Sequence, residues 1–343
     1  SKTDGTYIYQ VNGRQVIISK VYPAEEMETV GTLEFDQRFY PRELYVDGDI
    51  LVVIGSATFP YPTDKPQAEF PVEAAPKKRA VVEPDAVSPT VRAIIYDIAD
   101  KSNIVKKREV ELEGSYVSSR KIGSALYLVA NRSVRFVHGT MTENGASPQS
   151  AAPLYRDSIA GDEPMHIGFD RIYYFPETVL NRYLTIGGLD LDAADRPLNV
   201  AAYLGSGQQV YASEKNLYVA FTHYGYKDEP APTKPTPLPQ DMPLQSLGSS
   251  IAVPPSGGES GITPAAGRSE TLVESAPVRK IADPSTRIYR FKLDRGNATF
   301  AAEGTVPGTI LNQFSMDEFD GFFRIATTTR KFRGASAPLS ENN

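Results

Sequence analysis

One two-strand unit occurs four times in the sequence, and this repeat constrains the fold more than any other feature. Each copy reads as a strand, a polar turn of two or three residues, and a strand rich in Val, Ile, Tyr and Phe. The copies are RELYVDGDILVVIGS (42–56), SSRKIGSALYLVANRS (118–133), VYASEKNLYVAFTHY (210–224) and NQFSMDEFDGFFRIATT (312–328). A different pair of strand-like runs precedes each copy, at 16–35, 93–112, 185–204 and 287–306. The chain therefore repeats its strands in sets of four.

The spacing between the two kinds of unit is nearly constant. Anchor positions are separated by 32, 30, 28 and 31 residues: Ser19 to Leu51, Tyr96 to Leu126, Leu189 to Leu217, and Phe291 to Phe322. From Tyr7 to Leu51, where no long insertion intervenes, the full period is 44 residues. Four antiparallel strands in roughly 40–50 residues are typical of a β-propeller blade. We predict a single all-β propeller domain over 1–343, with three full blades and a partial blade at each end.

A β-sandwich is the alternative, because it also gives alternating strands with turns every ~8–12 residues. A sandwich does not predict self-similarity with a four-strand period, and this favours the propeller. Counted outward from the axis, the ELYV-type strand comes first, then the LVVI, IIYDI and VKKREVEL types. The charge on the VKKREVEL strand suits an exposed sheet edge.

Three insertions fall between the second and third strands of successive blades, at 57–90, 134–182 and 226–285. This connection opens on one face of a propeller, so we expect the insertions to crowd the same face. The last insertion is rich in Pro, Gly and Ser, which is typical of a largely flexible loop. The middle insertion contains SVRFVHG and DRIYYFPE, two strand-like runs that indicate an ordered subdomain or cap.

Both end blades are expected to be incomplete. The first opens at its second strand, TYIYQV, and the last stops after its second strand, GFFRIATT. We expect remaining blades or another chain to complete the ring. In the first hairpin, Asn12 and Gly13 predict a type I′ turn, in which both central residues have positive φ.

Several stretches resemble one family, the prokaryotic secreted or cell-surface proteins with a C-terminal β-propeller domain distantly related to WD-type repeats. They include KTDGTYIYQVNG, LEGSYVSSRKIGSALYLVAN and, most distinctively, LNQFSMDE followed by FRIATT. The resemblance covers most of the chain outside the proline-rich insertions. It implies export, with the signal upstream of this sequence, an extracellular or cell-surface setting, and further blades. It brings no catalytic residue with it.

Composition excludes several classes of site and function. The 343 residues contain no cysteine, so disulfides, zinc–thiolate sites and thiol nucleophiles are ruled out. The formal net charge of −6 argues against a general nucleic-acid binder. No apolar run approaches the ~18 residues needed to span a bilayer, so we expect no transmembrane segment.

The residues that carry chemistry form no recognisable constellation. The three histidines, His138, His166 and His223, lie far apart in the sequence, although the first two share the middle insertion. Carboxylates cluster at Asp47 and Asp49, at Asp190, Asp192 and Asp195, and at Asp317, Glu318 and Asp320. Side chains of this type suit turns, and the full EF-hand spacing is missing. GSGQQ (205–209) lacks the Lys of a phosphate loop and no helix follows it. The sequence assigns no catalytic, metal-binding or cofactor-binding residue, and we expect no cofactor.

The 19 tyrosines recur inside the predicted strands, where packing on a half-buried blade is the favoured role. Examples are Tyr96, Tyr127, Tyr173, Tyr174, Tyr218 and Tyr289. We expect an exported, non-catalytic recognition or scaffold module that binds a protein, peptide or glycan on the insertion-bearing face. The alternative is a propeller hydrolase or lyase, with carboxylates and a histidine meeting at the central channel. An axis lined by Ser, Thr and aliphatic residues would favour binding.

Overall fold

The computed structural model describes residues 1–60, 87–133, 152–175, 180–229, 278–281, 283–331 and 339–342. These residues form strands and three 3-10 turns, at Ala24–Glu26, Phe169–Arg171 and Gln313–Ser315. No helix in the described part of the chain has the length and apolar character needed to cross a membrane.

The strands follow one another in chain order. The first thirteen are β1 (Lys2–Thr3), β2 (Tyr7–Asn12), β3 (Gln15–Lys20), β4 (Glu28–Glu34), β5 (Tyr40–Asp47), β6 (Ile50–Pro60), β7 (Val87–Asp97), β8 (Val105–Glu113), β9 (Ser115–Ile122), β10 (Ala125–Ser133), β11 (Leu154–Asp157), β12 (Met165–His166) and β13 (Ile172–Tyr174). The others are β14 (Arg182–Asp190), β15 (Asn199–Leu204), β16 (Gln209–Ala212), β17 (Asn216–His223), β18 (Tyr226–Glu229), β19 (Val278–Ile281), β20 (Ser285–Asp294), β21 (Asn297–Pro307), β22 (Met316–Phe319), β23 (Phe322–Ile325), β24 (Thr328–Lys331) and β25 (Leu339–Asn342).

Five successive sheets, which we call blades 1 to 5, contain the repeat. Blade 1 is β1 to β4, with β1 only two residues long, and blade 2 contains β5 to β8. Blade 3 contains β9, β10, β14 and β15, blade 4 is β16, β17, β20 and β21, and blade 5 is the hairpin β22–β23. In the described part of the chain these sheets do not close into a ring. The all-β architecture with three full blades and partial end blades is confirmed.

The repeat read from the sequence fixes the register within the blades. Each second-strand anchor lies directly opposite the third-strand anchor of its own blade: Leu51 opposite Tyr96, Leu126 opposite Leu189, and Leu217 opposite Phe291. The chain makes these pairs although it leaves the blade after Pro60, Ser133 and His223 before returning. The equivalent residues thus occupy the same place in each sheet.

Side-chain alternation along the second strands builds a separate core on each face of a blade. Leu51 and Val53 pack into a cluster shared with blade 1, whereas Val52 and Ile54 pack into a cluster shared with blade 3. Successive residues of a strand point to opposite faces, so a continuous apolar run serves two interfaces. Blades 3 and 4, and blades 4 and 5, enclose two further clusters. Four cores between five sheets are incompatible with the alternative β-sandwich.

The first hairpin confirms the predicted strands but not the predicted turn. Asn12 pairs with Gln15, so the two central residues are Gly13 and Arg14, and only Gly13 has positive φ, at 60°. This is the pattern of a type II′ turn, in which glycine occupies the first central position. The type I′ prediction centred on Asn12 is therefore wrong. Positive φ at both central residues occurs instead at Arg295–Gly296.

The expectation of an exposed outermost strand is wrong for β8. Its carboxylates Glu109, Glu111 and Glu113 are 7%, 0% and 1% exposed. They are buried because β11, which belongs to the middle insertion, pairs with β8 and covers its edge. β12 pairs with β11, and β13 pairs with β15, so the described part of this insertion extends the outer edges of blades 2 and 3.

A second compact unit comprises Tyr224–Asp283. In this unit β18 pairs antiparallel with β19. Of the stretch predicted to be a flexible loop, 226–285, residues 230–277 lie outside the described part of the chain. Residues 61–86 of the first insertion lie outside it as well.

Candidate functional site

A groove of about 790 Å³ lies between the outer edges of blades 3 and 4. Residues of β13 and β15 form one side of this groove and the first residues of β21 form the other. β13 runs parallel to β15, with Tyr173 opposite Tyr203. Between these two strands in the sequence, β14 runs antiparallel to β15 and returns the chain to the same end of the sheet. The middle insertion therefore adds an aromatic strand to the rim of blade 3.

Four stacked aromatic rings connect the core to this groove. Tyr289 and Phe175 are 0% and 1% exposed, and their ring centroids are 3.6 Å apart and nearly parallel. Tyr203 stacks on Phe175 at 5.4 Å, and Tyr173 stacks on Tyr203 at 5.3 Å. Burial raises the pKa of Tyr203 from its ordinary value of 10 to about 12. Because the inner rings are buried, they hold the ring of Tyr173 in a fixed orientation at the surface.

A glycine makes room for this stack. A Cβ on Gly205 would lie 2.7 Å from a ring carbon of Phe175, closer than two such atoms can pack. Gly205 is the first residue of the GSGQQ turn, in which the sequence indicated no phosphate loop. The glycine is required here by the close approach of an aromatic ring.

The exposed rim of the groove is aromatic, amide-bearing and cationic. Tyr173, Tyr174 and Phe300 are 48%, 67% and 37% exposed. The amide of Asn199 donates a hydrogen bond to the amide oxygen of Asn297 across the gap between the blades. Among the described residues, the charged side chains that line the groove are those of Arg171 and Arg196, both exposed, and no Asp or Glu is among them.

A buried ion pair anchors the loop that carries Arg196. Arg108 donates to Asp157 from Nε at 3.0 Å and from Nη2 at 2.6 Å, with the two side chains 5% and 1% exposed. Arg108 Nη2 also donates to the carbonyl of Arg196 at 2.8 Å, and Asp157 accepts from the amide of Leu198 at 2.7 Å. One ion pair thus joins β8, β11 and the loop between β14 and β15.

The neighbouring carboxylates of β8 are paired in the same region. Arg92 and Arg156 both make ion pairs with Glu109 and with Glu111. Burial would raise the pKa of Glu109, but the charges of Arg92 and Arg156 lower it overall below its ordinary value of 4.5. Arg132 pairs with Glu113 at 2.8 Å. The carboxylates of β8 are therefore buried and paired with arginines beneath the added strand β11.

The innermost strands of blades 2 and 3 share a polar network. Glu43 accepts hydrogen bonds from the hydroxyls of Tyr116 at 2.7 Å and Ser119 at 2.8 Å. The hydroxyl of Tyr45 donates to the carbonyl of Ser119 at 3.0 Å, and burial raises the pKa of Tyr45 to about 12. The described innermost strands β5, β9, β16 and β22 contain no histidine. This network therefore connects the innermost strands of blades 2 and 3.

The predicted chemistry-bearing residues are dispersed. His138 lies outside the described residues, His166 pairs with Leu154 on the outer edge of blade 2, and His223 ends β17. Among the described residues, no three His, Cys, Asp or Glu side chains are grouped as metal ligands.

The carboxylates clustered in turns have different kinds of partner. Asp190 accepts from the amide of Asp192 at 3.2 Å, as the turn role predicts, and hydrogen bonding to Ser124 is the largest cause of its lowered pKa. Asp47 instead pairs with Lys121 of blade 3 at 2.5 Å, and Asp317 pairs with Arg324 on the opposite strand of its hairpin.

Two of the tyrosines expected to pack within the blades are exposed instead. Tyr96, Tyr127, Tyr218 and Tyr289 are at most 8% exposed, as expected, whereas Tyr173 and Tyr174 are about half to two-thirds exposed. The sequence signal was the run DRIYYFPE, which is strand-like and lies inside an insertion. Because this aromatic pair lies outside the repeat, the packing of one blade on the next does not bury it.

A sequence model of the Beta propeller domain matches residues 1–343. The chain belongs to the Beta propeller domain family. The match spans the blades and the insertions together. The comparison of this propeller with curated proteins gave no match.

Proposed function

We propose that this propeller is an exported, non-catalytic recognition module of a prokaryotic cell surface, and that it binds its ligand in the groove between blades 3 and 4. The observation that carries the proposal is the row of exposed rings at Tyr173, Tyr174 and Phe300. Amphipathic rings around a concave surface are typical of ligand sites and of binding interfaces. Glu43, one of the carboxylates of the inner strands, accepts hydrogen bonds from Tyr116 and Ser119, which suits a structural role rather than acid–base chemistry.

The experiment uses the absence of tryptophan from the chain. Tyr174→Trp introduces a single tryptophan on the rim of the groove, and Tyr22→Trp places a control tryptophan at a residue of blade 1 with similar exposure. Both variants are titrated with soluble glycans and peptides. We expect a saturable change in tryptophan emission for Tyr174→Trp and none for Tyr22→Trp. Equal responses of the two variants, or none in either, would refute a ligand site in this groove.

We also propose that further blades or another chain complete the ring at blades 1 and 5. Blade 5 leaves Phe319 and Phe322 65% and 72% exposed, and blade 1 has one buried interface, shared with blade 2. Large exposed apolar patches are typical of interaction surfaces. The test is light scattering of the isolated chain and of Phe319→Asp/Phe322→Asp. We expect the chain to associate and the variant to remain monomeric, and a monomeric chain at high concentration would contradict the proposal.

A further inference from the structure

We infer that the groove between blades 3 and 4 binds an acidic oligosaccharide built of uronic acid sugars. The inference rests on the proposed function, since it names the ligand class of the same groove. Three properties of the described residues support it: the fixed aromatic platform, the amides on the rim, and the sign of the charge.

The aromatic platform suits a sugar ring. A pyranose presents a flat C–H face, and this face packs on an aromatic ring without requiring a particular hydrogen bond. Tyr173 is already immobilised by Tyr203 and the two rings beneath it, so its ring loses little conformational freedom on binding. Phe300 presents a second ring from the opposite blade. The groove therefore presents an aromatic ring from each of the two blades.

The polar groups on the rim match hydroxyl groups. Asn199, Asn297 and Thr299 are exposed along the groove. An amide offers both donors and an acceptor, and a threonine hydroxyl offers one donor and two lone pairs, so these side chains satisfy the mixed character of a sugar hydroxyl. Such neutral groups orient a ligand without selecting its charge.

The charge of the lining selects an anion. The chain has a net charge of −6, yet the charged side chains among the described residues of the groove lining are two arginines, Arg171 and Arg196. A guanidinium binds a carboxylate through two parallel hydrogen bonds, a geometry that a sugar carboxylate can accept. The backbone of Arg196 is held by Arg108, which fixes the base of this side chain.

Other anionic ligands fit less well. A nucleic acid needs a basic track along its backbone, and a protein of pI about 5.3 offers only these two arginines here. An extended peptide needs an open strand edge with which to pair, and the edges that border the groove are short: three residues of β13 and the first four of the outer strand β21. Acidic peptides and oligonucleotides are therefore competing outcomes in the experiment.

The experiment is calorimetric titration of the whole chain with a galacturonate tetramer and with the same tetramer methyl-esterified. The two ligands share their sugars and linkages and differ in the charge of the carboxyl groups and in the added ester methyl groups. We expect the acid to bind at least about tenfold more tightly than its ester, the effect of one charge-assisted hydrogen bond. Added salt weakens the binding of the acid but not of the ester.

Variants separate the parts of the site. Arg171→Gln and Arg196→Gln are each expected to lower the affinity for the acid by about tenfold and to leave the affinity for the ester unchanged. Tyr173→Ala lowers both affinities. Arg38→Gln and Tyr22→Ala, which alter exposed residues outside the groove, change neither affinity. Circular dichroism confirms that each variant is folded.

The outcomes distinguish the inference from the proposed function. Equal affinity for acid and ester, abolished by Tyr173→Ala, would overturn the acidic ligand and keep the groove as a site. Binding of an acidic peptide or an oligonucleotide that requires Tyr173, without binding of the tetramer, would also overturn the inference alone. If Tyr173→Ala alters the binding of no ligand, both proposals fail.

Discussion

Removing the carboxylate of Asp157 is expected to be one of the most damaging single substitutions in the propeller. Asp157 is 1% exposed and accepts from Arg108 Nε at 3.0 Å, from Arg108 Nη2 at 2.6 Å and from the amide of Leu198 at 2.7 Å. Asp157→Ala leaves the guanidinium of Arg108, only 5% exposed, buried without a counter-ion. Breaking a buried pair in this way costs about 3–5 kcal/mol of unfolding free energy.

The assay is urea unfolding followed by far-ultraviolet circular dichroism. Asp317→Ala is the matched control, because Asp317 also receives Nε and Nη2 of one arginine, Arg324, but on the exposed surface. We expect no change in the unfolding midpoint of the control, since an exposed pair is screened by water.

A double variant tests the cause of the loss. Arg108→Met/Asp157→Leu replaces the ion pair with apolar side chains and removes the unpaired charge. Such replacements are often neutral, so we expect it to recover most of the stability lost in Asp157→Ala. If Asp157→Ala has the same unfolding midpoint as Asp317→Ala, or if the double variant is no more stable than Asp157→Ala, the assignment of this ion pair as a buried anchor is refuted.

Two further predictions concern a close contact and an acid response. Gly188→Ala places a Cβ 2.1 Å from the carbonyl of Gly296, so it should cost about 1–3 kcal/mol in urea unfolding, whereas Gly304→Ala, with open space around it, should not. The arginines beside Glu109 hold its pKa below 4.5 in the folded chain, so its stabilising contribution persists above that pH and is lost as the pH falls through the lowered pKa. Unfolding midpoints should therefore fall more steeply on acidification for the native chain than for Glu109→Gln, and parallel profiles would contradict this.

The blade architecture could be predicted from the repeat because the repeat is visible in the local pattern of apolar and polar residues. Alternating side chains in LVVI and LYVAF serve two neighbouring cores, and the anchors chosen from spacing alone meet across the sheets. The turn after Asn12 was misassigned by one residue because a lone glycine fits both the second position of a type I′ turn and the first of a type II′ turn.

Features made by the middle insertion were beyond the sequence pattern. The carboxylates of β8 are buried because Arg156 and Asp157 return on β11, a tertiary pairing that no local periodicity reports. The groove likewise depends on β13 lying parallel to β15, which turns the tyrosines of DRIYYFPE outward. Spacing within the repeat contains no information about a strand added from outside it.

The most direct test of the propeller repeat is a set of engineered disulfides in this cysteine-free chain. Three equivalent positions, one residue from the anchors, face each other across the second and third strands: Ile50 and Asp97, Ala125 and Asp190, and Asn216 and Lys292. Directly opposed residues in antiparallel strands lie within the Cα separation that a disulfide spans.

Each pair is replaced by two cysteines, oxidised, and analysed by peptide mapping. We predict that all three variants form their internal disulfide, whereas Ile50→Cys/Lys292→Cys, which joins blades 2 and 4, does not. If any of the three equivalent pairs fails to cross-link while the inter-blade control does so, the four-strand repeat is not the basis of this fold.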